Sequence, residues 1–247
     1  MKHLSLPTSH GPIHVVGRLM ARADNPAVVA VSGAFPPPDF LHDVVDWFSK
    51  LSIVVAPIPG MHGTRTLDFD LARVSRALDE AIQTLLPNRR IVTLGVSAGA
   101  LVTLGLRHPA IVHQVVVEPF FRTAPLWPVR QDFGAALADA EAGWKQAADE
   151  IFGVTAEGLR DRDYRPLLDG LTVPVDAVLG GVPLEPERPL PHWPSLTSVE
   201  DRAALAAHPR VSVHHVADVG HNVMSTAQGA AATKALLAAQ LRPLARP

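Results

Sequence analysis

The chain has 247 residues, of which 47% are hydrophobic, so it is long enough to bury one large core. Its formal net charge of −2 offers no basic face, which argues against nucleic acid or an anionic membrane surface as a partner. Cysteine is absent, and this excludes disulfides, thiolate zinc sites and a cysteine nucleophile.

The chain opens on residues 4–20, where Gly11-Pro12 lies at the middle of a segment typical of an antiparallel hairpin at a sheet edge. Short apolar runs then predict buried strands at 27–31, 52–58, 90–96, 112–117, 173–179 and 211–216. Apolar residues at helical spacing predict helices at 40–51, 67–86 and 223–241, and another helix after residue 97. Continuously apolar strands that alternate with helices indicate an α/β fold, with a mostly parallel sheet flanked by helices on both faces.

One interval, residues 119–172, breaks this alternation, because it has helical periodicity but no strand pattern. We therefore expect one domain, 1–247, in which 119–172 is a small helical cap insertion. The first residues hold a single lysine and no long apolar segment, so no signal peptide is expected. No run reaches the roughly eighteen apolar residues of a membrane helix. The cytoplasm is the expected location.

A serine lies between two glycines where the strand pattern of 90–96 gives way to helical spacing. The segment Gly95-Val96-Ser97-Ala98-Gly99 matches G-x-S-x-G. A nucleophile on such a turn occupies strained backbone angles, and the glycines avoid collisions with neighbouring elements. The alternative is a tight turn whose serine caps the helix. The strand before Ser97 and the helix after it favour Ser97 as a nucleophile.

This turn, the order of the elements and a glycine-histidine pair near the C terminus resemble the α/β-hydrolase family over nearly the whole chain. The resemblance implies that family's fold and a catalytic histidine in the loop after the final strand. Here that strand is 211–216, and Gly220-His221 follows it. A serine hydroxyl needs a base such as imidazole within hydrogen-bond reach, so His221 is the predicted base. His214 and His215 lie within the strand and are expected to pack or face solvent.

The resemblance also implies an oxyanion hole, with one backbone donor from the residue after the nucleophile, here Ala98. The second donor comes from the loop after the strand at 27–31, where Ala34 is the predicted residue and Phe35 the adjacent alternative. A further loop, 59–65, resembles one that many members carry near the pocket. We expect a structural role for its His62.

The catalytic acid is where the sequence departs from the family pattern. Most members carry an aspartate a few residues after the strand that ends here at Leu179-Gly180, but residues 181–185 read GVPLE. Asp176 lies within the strand, too early to reach the loop, and Asp218 is too close to His221 to orient its ring.

Two glutamates remain as candidates for the acid. Glu185 lies in the usual loop, slightly late. Glu118 ends the strand at 112–117, a position that resembles where some haloalkane dehalogenases carry their acid. An acid at either position could hold the imidazole in the correct tautomer. We favour Glu118 and keep Glu185 as the alternative, and the plainer interpretation of Glu118 is a strand-end carboxylate paired with an arginine or capped by a helix.

A serine, a histidine and an acid predict cleavage of a carboxylic ester, thioester or lactone through an acyl-enzyme that water hydrolyses. The expected partner is a small-molecule acyl substrate. No metal or organic cofactor is implied, because no histidine and carboxylate cluster has ligand spacing. Two alternatives stay open: an acyltransferase or thioesterase of a biosynthetic pathway, and a non-catalytic hydrolase fold that binds a ligand or a partner.

Four aromatic residues are candidates for an apolar substrate pocket. Phe120, Phe121 and Trp127 open the predicted cap, and Phe35 follows the predicted oxyanion loop. Apolar and aromatic side chains are the usual lining of small-molecule sites. The alternative is that those in the cap merely anchor it to the sheet.

Overall fold

The computed structural model describes residues 1–20, 25–34, 41–58, 70–129, 142–155, 158–188 and 192–244. Its strands are β1 (Lys2–Leu6), β2 (Ile13–Arg18), β3 (Ala27–Val31), β4 (Ser52–Ala56), β5 (Ile91–Val96), β6 (Ile111–Val117), β7 (Val154–Thr155), β8 (Gly158–Leu159), β9 (Val175–Gly180) and β10 (Val211–Val216). Its α-helices are α1 (His42–Trp47), α2 (Leu71–Leu85), α3 (Ala98–Gly105), α4 (Ala142–Phe152), α5 (Pro166–Asp169), α6 (Val199–Ala207) and α7 (Ala227–Leu241).

Within the described ranges, one eight-stranded sheet runs in the order β1-β2-β4-β3-β5-β6-β9-β10. β1 and β2 form the predicted antiparallel hairpin, and β2 also pairs antiparallel with β4. From β4 to β10 every neighbouring pair is parallel. The carboxyl ends of β5, β6, β9 and β10 therefore meet at one edge of the sheet, where the loops that follow them can share a site. The predicted fold class is confirmed.

The strands are continuously apolar because both faces of the sheet are covered. In β3, Val29 packs into a cluster with Leu78 of α2 and Leu101 of α3, while its neighbour Val28 faces the opposite cluster with Leu237 of α7. All five side chains are at most 2% exposed. Burial of a side chain of this size stabilises the fold by roughly 1.5–3 kcal/mol, so the two clusters hold the strand ends, and the loops after them, in place.

Helix boundaries differ from the sequence pattern where side chains cap the chain. The predicted closing helix is a 3₁₀ turn at Val223–Ser225 followed by α7, because the Thr226 hydroxyl accepts a hydrogen bond from the Gly229 amide and begins a new helix there. Helix α6 was not predicted. It crosses over between the parallel strands β9 and β10, and the Ser198 hydroxyl caps its first turn.

The interval 119–172 contains helices α4 and α5, as expected, but also the β7–β8 pair, which the sequence did not predict. Gly153 precedes this pair with φ +67°, and a Cβ there would lie 1.8 Å from the Arg160 carbonyl oxygen. The hairpin thus forms where glycine allows two backbone segments to touch. Among the described helices, none is both long and apolar enough to cross a membrane.

Candidate active site

Ser97 occupies the sharp turn between β5 and α3. Its backbone has φ 54° and ψ −122°, a conformation that residues other than glycine rarely adopt. A Cβ on Gly95 would lie 2.4 Å from the Thr103 hydroxyl, and one on Gly99 would lie 2.3 Å from the Ser32 carbonyl oxygen. Both glycines of the motif are therefore sterically required, and the turn holds the serine in a strained conformation at the carboxyl end of β5.

The imidazole of His221 lies against this serine. The distance from His221 Nε2 to Ser97 Oγ is 2.9 Å. His221 follows β10, as predicted, and its backbone amide donates to the Trp193 carbonyl over 3.3 Å. A Cβ on Gly220 would lie 1.9 Å from that same carbonyl oxygen. Glycine before the histidine thus lets the loop pass close to Trp193 and places the ring over Ser97.

The carboxylate of Glu118 lies on the other side of the imidazole. His221 Nδ1 is 3.2 Å from Glu118 Oε2, and the Glu118 side chain has no exposed surface. Three more donors reach the carboxylate: the Gly180 amide (2.6 Å) and the Ser195 hydroxyl (2.9 Å) to Oε1, and the Leu196 amide (3.0 Å) to Oε2. With His221, four donors fill the roughly four acceptor positions of an ionised carboxylate. Burial of this charge is therefore compensated.

These contacts determine which nitrogen of His221 carries the proton. An ionised carboxylate only accepts hydrogen bonds, so Nδ1 must carry the hydrogen that faces Glu118. Nε2 of the neutral ring then presents its lone pair to the Ser97 hydroxyl. This tautomer can remove a proton from Ser97, and Glu118 would stabilise the imidazolium that forms.

The alternative acid, Glu185, has no hydrogen bond to His221 in the structure. Its Oε2 is buried and has no partner among the described residues. Gly180, at the start of the loop where most family members carry the acid, allows close packing instead. A Cβ there would lie 2.3 Å from the Gly220 carbonyl oxygen. The histidine loop packs directly on this strand end, whose amide is already bonded to Glu118.

Asp176 belongs to a separate cluster. Its carboxylate oxygens lie 2.8 Å from Nε2 of His113 and 2.8 Å from Nε2 of His214. Burial raises the pKa of Asp176, but the hydrogen bonds from the two imidazoles outweigh it and leave the pKa below the ordinary value. The cluster lies on β6, β9 and β10 and has no hydrogen bond to Ser97. His214, expected to pack or face solvent, is partly exposed and bonded to Asp176. His215 is exposed.

The predicted oxyanion donors lie near the turn that holds Ser97. Ala98 is the first residue of α3, where amides have no partner within the helix. The contact of Gly99 with the carbonyls of Val31 and Ser32 packs this helix end against the loop that leads to Ala34, which is 1% exposed. Within the described ranges, no residue accepts a hydrogen bond from the Ala98 or Ala34 amide. Phe35 and His62 lie outside the described residues.

Three of the four aromatic residues expected in the substrate pocket, Phe120, Phe121 and Trp127, are packed in the core, as the alternative interpretation had it. Phe120 and Phe121 have no exposed surface, and Phe120 stacks on Phe152 of α4 with ring centroids 5.5 Å apart. Trp127 is 7% exposed, and its Nε1 donates to the Leu184 carbonyl. These side chains bury their apolar area by anchoring the insertion to the sheet. In this conformation the two phenylalanines therefore offer no surface to a substrate.

The surroundings of Glu118 include residues that sequence reasoning missed. Ser195 lies 77 positions from Glu118 along the chain, and Arg202 on α6 donates to the Ser195 hydroxyl over 2.7 Å. Neither residue belongs to a motif, and their spacing from Glu118 carries no periodic signal. Across the described residues, no group of three or more histidine or acidic side chains is arranged to hold a metal ion.

Comparisons with known proteins agree with this architecture. The sequence model described as "Alpha/beta hydrolase family" matches residues 28–233. Similar solved structures include an enol-lactonase from Burkholderia xenovorans (TM-score 0.66, 15% identity, 92% of this chain and 96% of that one). A carboxylesterase from Bacillus subtilis is also similar (TM-score 0.67, 14% identity, 96% and 90%). So is the thioesterase domain from the curacin biosynthetic pathway (TM-score 0.64, 14% identity, 96% and 99%). No curated protein matches the sequence.

Proposed function

Because the chain belongs to the alpha/beta hydrolase family, we propose that it is a serine hydrolase that cleaves a carboxylic ester, thioester or lactone through an acyl-enzyme. The observation that carries the proposal is the hydrogen-bonded chain from Ser97 through His221 to Glu118. A hydroxyl, a neutral imidazole with its lone pair on that hydroxyl, and a buried carboxylate are the parts that activate a serine nucleophile.

In the first half of the reaction, Ser97 Oγ attacks the substrate carbonyl while His221 Nε2 takes the hydroxyl proton. The negative charge moves to the carbonyl oxygen, where the amides of Ala98 and Ala34 act as donors. The tetrahedral intermediate then collapses, and the alcohol, thiol or enolate leaves with the proton that His221 returns. The acyl group is now esterified to Ser97.

In the second half, water replaces the leaving group. His221 removes a proton from the water, and the resulting hydroxide attacks the acyl carbonyl. The second tetrahedral intermediate then collapses: the bond to Ser97 Oγ breaks, His221 returns the proton to that oxygen, and the free acid leaves. Glu118 accepts the hydrogen bond from His221 Nδ1 and stabilises the imidazolium that forms in each half. The cycle needs no metal, because the positive charge that stabilises each transition state comes from the ring and the backbone dipoles.

The experiment is a substrate panel. The three structural neighbours named above are a lactonase, a carboxylesterase and a thioesterase domain, so the panel holds p-nitrophenyl esters of short and long acids, lactones and acyl thioesters. We expect turnover of at least one class, and a fall of about 10³ to 10⁶ in kcat for His221→Ala. His3→Ala is the matched control, since His3 lies exposed on β1 at the edge of the sheet and its loss is expected to leave kcat unchanged. Normal turnover in His221→Ala would contradict the proposal.

A further inference from the structure

We propose that Ser195 and Arg202 are positioning residues that hold the Glu118 carboxylate in the orientation His221 requires. The inference rests on the proposed function, since it concerns the same three residues. It adds two side chains that hydrogen-bond to neither Ser97 nor His221 and that act through Glu118.

The partners of the Ser195 hydroxyl determine which hydrogen bonds it accepts and which one it donates. Ser195 Oγ accepts from Arg202 Nη2 over 2.7 Å and from the Thr197 amide over 3.3 Å. A guanidinium and an amide can only donate, so the single hydrogen of the hydroxyl is left for Glu118 Oε1, 2.9 Å away. Arg202 thus forces Ser195 to act as a donor to Glu118, and the charge of the guanidinium polarises that O–H bond.

Arg202 is itself held in a defined position. Its Nε donates to the Thr197 carbonyl over 3.1 Å, and Nη2 also donates to the Gly180 carbonyl over 2.7 Å. The amide of Gly180 is the shortest donor to Glu118, at 2.6 Å. Arg202 therefore fixes both groups that bind Glu118 Oε1, the hydroxyl directly and the glycine through its carbonyl.

The backbone after Glu118 is held by the same segment, residues 195–202. The Thr197 hydroxyl donates to the Pro119 carbonyl over 2.7 Å, and the Asp201 carboxylate accepts the Phe121 amide over 3.0 Å. Glu118 has φ 53°, a conformation that persists only where surrounding contacts determine it. With the backbone fixed on one side and Oε1 on the other, Oε2 is left facing His221.

Loss of either side chain should weaken the orientation of Glu118 without touching the substrate. We expect Ser195→Ala to lower kcat by about ten- to a hundredfold, the usual effect of losing one hydrogen bond to a charged group, with KM unchanged. Arg202→Met should have an effect of similar size, because methionine keeps the apolar stem but cannot orient Ser195 or Gly180. Glu200→Gln, on the exposed side of the same helix, and His3→Ala, on the exposed edge strand β1, are the controls and should leave kcat unchanged.

A double-mutant cycle tests whether Arg202 acts through Ser195 on Glu118, an arrangement we call the relay, or whether the two residues have independent structural roles. In the Ser195→Ala background, Arg202→Met should cost much less in kcat than it does in the wild type, since their effects share one path through Glu118. Added guanidinium ion should restore part of the kcat that Arg202→Ala loses, because it can donate the same hydrogen bonds to Ser195 and Gly180. Additive effects of the two substitutions, or a change in KM alone, would overturn the relay.

A spectroscopic measurement makes the inference independent of turnover. In protein labelled with ¹⁵N-histidine, the Nδ1–H of His221, identified by its loss in His221→Ala, should give a hydrogen-bonded proton signal. We expect Ser195→Ala and Arg202→Met to broaden or shift it and the two controls to preserve it, with thermal unfolding to show that each variant is folded. An unchanged signal in both folded variants would overturn the positioning role. Wild-type protein that shows this signal but no hydrolysis would contradict the proposed function alone.

Discussion

Replacing Glu118 by glutamine changes the site by one atom and reverses part of its hydrogen bonding. All four partners of the carboxylate donate to it, and the amide of glutamine must place an NH₂ group against two of them. If the NH₂ group faces Oε1's partners, it meets the Gly180 amide. If it faces those of Oε2, it meets the Leu196 amide and drives His221 to the tautomer with its hydrogen on Nε2, which cannot take the proton of Ser97.

The expected loss follows from these contacts. A hydrogen bond to a charged group contributes about 1.5–3 kcal/mol, and a buried donor left unpaired costs about 1–3 kcal/mol. Since 1.36 kcal/mol is tenfold in rate, Glu118→Gln should lower kcat by about 10² to 10⁴. The assay is initial-rate hydrolysis of one p-nitrophenyl ester, with circular dichroism to verify the fold.

Glu185→Gln is the matched control, and its kcat should stay within about tenfold of wild type. Glu185 has no bond to His221, so its charge does not select the tautomer. A large loss of kcat in Glu185→Gln together with a nearly normal kcat in Glu118→Gln would show that the acid is in the usual loop. Full activity in both would show that serine and histidine work without an acid. Either result refutes the assignment of Glu118.

Three further outcomes are expected. Ser97→Gly should be more stable than Ser97→Ala by about 1 kcal/mol in urea unfolding, because only glycine relieves the strain at φ 54°; equal stabilities would contradict the strain. Gly99→Ala should lower the free energy of unfolding by about 1–3 kcal/mol or more, since its Cβ would lie 2.3 Å from a backbone oxygen; a wild-type melting temperature would show that the turn around Ser97 can relax. Asp176→Asn should cost about 1–3 kcal/mol at neutral pH, because the carboxylate bonds His113 and His214. The folded pKa of Asp176 is lowered, so this contribution is complete above the ordinary value of 3.8 and is lost as pH falls below it; a difference between wild type and variant that stays constant to low pH would contradict it.

Local patterns predicted the parts of this molecule that depend on local chemistry. The strand, the glycine-flanked turn and the helix around Ser97 are continuous in sequence, and their steric demands appear as glycine at 95 and 99. The loop of His221 was predictable because it directly follows the last strand. Glu118 emerged only by comparing carboxylates at strand ends, and its contact with His221 joins residues 103 positions apart.

Other features depend on contacts that no sequence period records. Ser195 and Arg202 reach Glu118 through the crossover helix α6, which itself was not predicted because its nine residues carry a weak apolar face. Phe120 and Phe121 show the opposite problem. An aromatic side chain suits a pocket and a core equally well by type, and only the packing against α4 and the sheet assigns these two to the core.

The central claim is that Ser97 is a nucleophile activated by His221, and covalent labelling tests it most directly. A fluorophosphonate probe reacts with activated serines, and mass spectrometry of the digested protein locates the adduct. We expect one adduct, on Ser97, whose formation is abolished in Ser97→Ala and slowed by orders of magnitude in His221→Ala. Wild-type protein with Ser97 unmodified, or labelling that persists unchanged in Ser97→Ala, would contradict the claim.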